Sequence, residues 1–153
     1  MLQKKNNKIH FHFLTEPFSF PQRTRLKAFL LQLFKKEGKS VEGINYIFCT
    51  DEYLLPLNQK HLNHNTLTDI ITFELSNKEE ALIADIYISI ERVKENAQLF
   101  HTPFKTELHR VVFHGALHLC GYKDKTKEQA QQMRQLEEHC LNAYFVPRGT
   151  KKK

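Results

Sequence analysis

The chain has 153 residues, a net charge of +6, 41% hydrophobic content and 12 Phe. That length suits one domain with one core of ordinary size, and that composition excludes global disorder. No apolar run approaches the roughly 18 residues of a membrane span, and the opening MLQKKNNKIHFHF has neither an unbroken apolar segment nor a small-residue cleavage site, so no signal peptide is expected.

KIHFHF (8–13) is short, aromatic and alternating, which predicts a first strand. FPQRTRLKAFLLQLFKKEG predicts a helix, with Pro21 in its first turn, Leu26, Phe29, Leu30, Leu33 and Phe34 at helical spacing, and Gly38 as the stop. GINYIFCT reads as a second strand. DEYLLPLNQKHLN reads as a short helix whose regularity Pro56 limits. TDIITFEL and ALIADIYISI are β-branched runs joined by the polar SNKEE, and read as strands three and four of a hairpin. ERVKENAQLF, TELHRVVFHGALHLC and TKEQAQQMRQLEEHCLNAYF are helical, broken at Pro103 and Gly121 and ended by Pro147. Strands gather in the first half and helices in the second. The pattern predicts an α+β fold with a small four-stranded mixed sheet, as one domain over 1–148 with a basic tail at 149–153.

Cys49, Cys120 and Cys140 are odd in number and form no CxxC pair, so a disulfide framework is not expected and a reducing cytosol is the natural home. The basic excess is spread over both ends and over Arg23, Arg25, Lys27, Lys35, Lys36, Lys39, Lys123, Lys125 and Lys127. Such a surface is compatible with nucleic acid, although basic ends also read as solvated tails.

The chemistry concentrates in FHGALHLCGYKD (113–124). On a helix, His114 and His118 lie about 40° apart, one turn above the other. Leu108, Val112, Ala116 and Leu119 make the apolar stripe that the pair flanks. Gly121 suits a left-handed helix cap, after which Asp124 can swing back towards the imidazoles. The pattern H-x-x-x-H-x-x-G-x-x-D shares the spacing of H-E-x-x-H-x-x-G-x-x-H, with Gly115 for the glutamate and Asp124 for the third histidine. Two imidazoles and a carboxylate, with a position left for water, form a catalytic zinc set. The alternative is a pair that completes the core or faces solvent. Gly115 removes the base that peptide hydrolysis uses and is expected to leave room beside the metal for a phosphodiester. A basic protein with such a site fits phosphodiester chemistry better than peptide chemistry.

HGALHLCGYKD resembles the signature HGxLHLxGYDH of the YbeY family of bacterial rRNA-maturation endoribonucleases. LTDIITFEL (67–75) is similar to that family's TDVLSFP, ADIYIS (84–89) to its GDIxIS, and LNQKHL (57–62) to its LNxxYR; the matches are collinear from Leu57 to Asp124. The resemblance implies a central four-stranded sheet and one zinc ion per chain. It also implies single-strand-specific cleavage in 16S rRNA 3′-end maturation and quality control of the small ribosomal subunit, in the cytoplasm. By position, His114 and His118 match two zinc ligands and Asp124 occupies the place of a third histidine. The family's cleft arginine aligns with Leu62, which makes Lys60 and His61 the candidate catalytic cations. Ala84 replaces a family glycine.

Asp85 reads either as a brace for a ligand imidazole or as a strand-end acceptor, and Asp69 as a turn residue. His10, His12, His64, His101, His109 and His139 show no ligand spacing. Two other functions use the same residues. A non-catalytic ribosome-associated factor would hold a structural metal, and a non-haem iron oxygenase would use a two-histidine, one-carboxylate triad.

Overall fold

The computed structural model describes residues 8–62 and 67–146, the side chains of 61 and 62 excepted. His64 and the basic tail at 149–153 lie outside the described residues. The order of elements is β1 (Ile9–Phe13), α1 (Arg23–Lys36), β2 (Val41–Cys49), α2 (Asp51–Leu62), β3 (Ile70–Glu74), β4 (Leu82–Ser89), α3 (Ile90–Leu99), α4 (Phe104–Leu119) and α5 (Lys127–Phe145).

The strands form one mixed sheet in the order β1-β2-β4-β3. The first three run parallel, and β3 pairs antiparallel with β4 as the expected hairpin. Alternation along each strand decides the layers. Ile9, Phe11 and Phe13 register with Ile44, Tyr46 and Phe48, and these continue through Ala84, Ile86 and Ile88 to Thr72 and Ile70. This face joins α1 and α4 in the main core. Each fully buried large apolar side chain there contributes about 1.5–3 kcal/mol. The Tyr46 hydroxyl donates to the Val112 carbonyl at 2.9 Å, tying β2 to α4 where the polar atom would otherwise be stranded. On the outer face α2 covers a smaller cluster of Cys49, Leu54 and Ile71. Beside it a polar ladder joins His12 to Asn45 at 3.0 Å and Asn45 to Asp85 at 3.1 Å.

Two helix starts and one expected irregularity differ from the sequence pattern. Helix α1 starts at Arg23 rather than in a turn at Pro21, because Gln22 takes a left-handed conformation (φ 58°) as its cap. Helix α2 runs through Pro56 without interruption. Helix α4 starts at Phe104, directly after Pro103. That helix lies between the sheet and the pair α3 and α5, with Leu108, Val111, Val112, Gly115, Ala116 and Leu119 all buried. Only its flank reaches a cleft.

Candidate metal centre

His114 and His118 sit on that flank, their side chains 19% and 31% exposed. Their rings are 4.7 Å apart and nearly perpendicular. Past His118 the helix ends in a Schellman motif: the Tyr122 N–H donates to the Leu117 carbonyl at 3.1 Å, and the Gly121 N–H to the His118 carbonyl at 2.9 Å. Gly121 takes φ 106°, which a Cβ would strain. The reversal does two things. It turns the Tyr122 carbonyl onto His118 Nδ1 at 2.9 Å, and it brings Asp124 Oδ2 to 3.3 Å from His114 Nε2 and 3.6 Å from His118 Nε2.

Both Nδ1 atoms therefore face an acceptor. A carbonyl cannot donate, so His118 carries its proton on Nδ1; on His114 the acceptor is Glu137 Oε2, at 2.5 Å. Both Nε2 lone pairs then point to the place where Asp124 arrives. One donor atom from each of the three residues lies within 4.8 Å of the others. Among the described residues this is the group of histidine and carboxylate donors able to hold a cation. Nitrogen and oxygen donors of this kind suit zinc. The expected triad is thus brought together.

The charge around the two rings is unequal. Burial opposes a proton on His114, but the Glu137 carboxylate, with Asp124 and Asp69, outweighs it and raises its pKa above the usual histidine value. For His118, burial and the neighbouring His114 lower it, and Asp124 only partly compensates. The cleft has a volume of about 760 Å³, and its walls include Asp69, Thr72, Arg110, Lys125, Arg134 and Glu137 beside the triad. Burial raises the pKa of Asp69, whose side chain accepts from Asn96 of α3 and whose carbonyl accepts from the Ser89 N–H, so Asp69 is held in the cleft wall by long-range contacts rather than by a turn of its own.

Other candidates fall elsewhere. Lys60 is exposed on α2 and is not among the described residues that line the cleft; the side chain of His61 lies outside the described residues. Asp85 braces neither ligand imidazole, because its strand register puts it on the outer face with Asn45. Gly115 does not open room beside the site. It is buried against the sheet, where a Cβ would meet Ile70 Cδ1 at 3.0 Å and Ile86 Cγ2 at 3.1 Å. Its role is the close approach of α4 to β3 and β4. Glu137 has no place in the motif, yet it stands on the buried stripe Met133, Glu137, Cys140, Leu141 and Tyr144 of α5. A carboxylate on an apolar helical stripe is the signal that marks it.

The sequence pattern of the family Endoribonuclease YbeY matches residues 15–145. An endoribonuclease YbeY of Cytophaga hutchinsonii is 46% identical over 138 residues, covering 90% of this chain and 96% of its own length. One of Flavobacterium psychrophilum is 48% identical over 129 residues, covering 84% and 91%. The solution structure of a Thermotoga maritima protein aligns with a TM-score of 0.55 and 28% identity, over 93% of this chain and 99% of that one. The chain belongs to the endoribonuclease YbeY family.

Proposed function

We propose that this member of the family is a single-strand-specific endoribonuclease of the cytoplasm that holds one zinc ion on His114, His118 and Asp124 and acts in 16S rRNA 3′-end maturation on the small ribosomal subunit. The observation that carries it is the shared aim of two Nε2 atoms and one carboxylate oxygen into a cleft on a family member's motif helix. When bound, the ion supplies Lewis-acid polarisation of a phosphoryl oxygen and acidifies water.

The chain's own residues do the rest. Tyr122 and Glu137 fix the two ring orientations from behind. Arg134, with a side chain 55% exposed, and Lys125 present cations at the rim, where a phosphate backbone can be held. Arg110 faces Glu107, Glu137 and Glu138, so its charge is already matched. These rim cations replace Lys60 as the candidates for the missing arginine. No helix of the described chain is long and apolar enough to cross a membrane.

The test is cleavage of single-stranded and duplex RNA by purified protein, native and His118→Ala, with and without chelator, alongside metal analysis. The expected result is zinc at one ion per chain and cleavage confined to single strands. It is lost in the variant and with chelator. Zinc retained with no cleavage of any RNA would favour the ribosome-associated factor instead.

A further inference from the structure

Resting on that metal assignment, we infer that Glu137 is a positioning residue for the site, a carboxylate on α5 that orients His114 and strengthens it as a ligand through its distal nitrogen. Its Oε2 accepts from His114 Nδ1 at 2.5 Å, shorter than the 2.9 Å between His118 Nδ1 and the Tyr122 carbonyl. A carboxylate behind an imidazole fixes the ring and pushes electron density towards the opposite nitrogen, which a neutral carbonyl does less strongly. The two ligand histidines are therefore inequivalent, with His114 the stronger donor.

Glu137 is only 5% exposed, and a buried carboxylate held for no purpose is costly. Here it is held deliberately. Its Oε1 lies 3.6 Å from Arg110 Nη1 and 3.8 Å from Arg134 Nη1. Arg110 in turn is fixed by Glu107 at 3.3 Å and Glu138 at 2.8 Å. The guanidiniums of Arg110 and Arg134 thus offset the charge on one oxygen of Glu137 as ion pairs and leave the other oxygen for the histidine. This chain of contacts joins α4 to α5, so the geometry of the motif helix depends on a residue outside the motif.

The test uses the full-length protein, native, Glu137→Gln and Glu137→Leu. Zinc affinity is measured by chelator competition, and the two histidine rings by nitrogen-edited NMR, with and without zinc. The expected result is a loss of zinc affinity of about 10–100-fold in Glu137→Leu, with Glu137→Gln between it and the native protein because it keeps an acceptor without the charge. Ring signals of His114 should move and those of His118 stay, which a general loss of packing would not produce. Unchanged zinc affinity in both variants would overturn the inference while leaving the metal site intact; a native protein that binds no zinc would instead overturn the metal assignment. The native protein alone also decides: zinc-loaded, His114 must show a protonated Nδ1 with its proton strongly downfield, and a metallated or proton-free Nδ1 refutes the role of Glu137 even if neither variant folds.

Discussion

Gly115 and Ile86 touch where α4 crosses the sheet: a Cβ on the glycine would stand 3.1 Å from Ile86 Cγ2 and 3.2 Å from Ile86 Cδ1. Alanine there gains about 1 kcal/mol of helix propensity and loses a similar amount to crowding. Gly115→Ala should accordingly change stability by less than about 1 kcal/mol. Gly115→Glu is different, because it forces a carboxylate between helix and sheet with no partner. It should destabilise by at least 3 kcal/mol, roughly the cost of a buried uncompensated charge, and confer no peptidase activity. Urea midpoints and a peptide assay check both; a stable Gly115→Glu protein that hydrolyses peptides would show that position 115 faces the cleft.

Gly121 carries the turn that delivers both the Tyr122 carbonyl and Asp124. At φ 106° an alanine is strained, by about 1–3 kcal/mol. Gly121→Ala should lower the unfolding free energy by that amount and weaken zinc binding as well. The control is Gly38→Ala, a second left-handed glycine (φ 77°) at the end of α1. It should cost stability alone. Equal zinc affinity in Gly121→Ala and the native protein would mean that the turn does not set the ligand geometry.

Zinc should stabilise the fold by mass action, because only the folded chain brings the three donors together. At free zinc 100 times the dissociation constant the gain is about 2.7 kcal/mol. Asp124→Asn, which removes the carboxylate from between the two Nε2 atoms, should lose most of this gain while unfolding normally without zinc. Thermal scans over a zinc series, with chelator as the zero, provide the measurement.

A separate acid sensitivity comes from His109, which is 2% exposed. Its Nδ1 faces the Lys105 carbonyl at 2.8 Å, and its ring packs on Phe145 and Tyr144. Burial lowers its pKa; the Lys105 carbonyl partly opposes this, and the charges of Lys105 and Arg25 add to the lowering. The unfolded chain takes up this proton near the ordinary value of about 6.5, the folded chain only at lower pH. The contribution of His109 to stability is therefore complete above that value and declines as pH falls below it. The zinc-free native protein minus His109→Phe should show this slope between about pH 6.5 and 5. A flat difference would contradict the burial account.

Much of the fold was legible because its signals are local. Alternation in KIHFHF and ADIYIS sets which strand face is buried, and helical spacing in α1, α4 and α5 sets their inner stripes. The triad was legible for the same reason, since eleven consecutive positions on one helix and its cap determine where His114, His118 and Asp124 point. What escaped depends on other elements. The contact of Gly115 with Ile70 and Ile86 exists only once the hairpin is laid under α4, and Asp85 faces outward because of strand register. Glu137 reaches His114 from another helix, 23 residues on. Its only trace in the sequence is a charge on an apolar stripe.

Three cations line the cleft among the described residues: Arg110, Lys125 and Arg134. Arg110 is 11% exposed and held by three carboxylates, so removing it should damage folding before it affects substrate. Arg134 is half free, with its nearest carboxylate, Glu137, at 3.8 Å. A phosphate arriving in the cleft could take the guanidinium without breaking a short pair, and the fork of donors suits a phosphate oxygen pair. Arg134→Ala should raise KM for single-stranded RNA about tenfold, the equivalent of 1.4 kcal/mol, with kcat changed much less. The salt dependence of binding should lose about 0.7 of a unit in its logarithmic slope, the amount for one single-strand phosphate contact. Arg134→Lys should restore the salt slope but only part of KM, because an ammonium keeps the charge without the fork. The three proteins compared over a salt series give the answer. An unchanged slope in Arg134→Ala would place the phosphate elsewhere, and a fall in kcat alone would tie Arg134 to Glu137 and the ligand geometry rather than to the substrate.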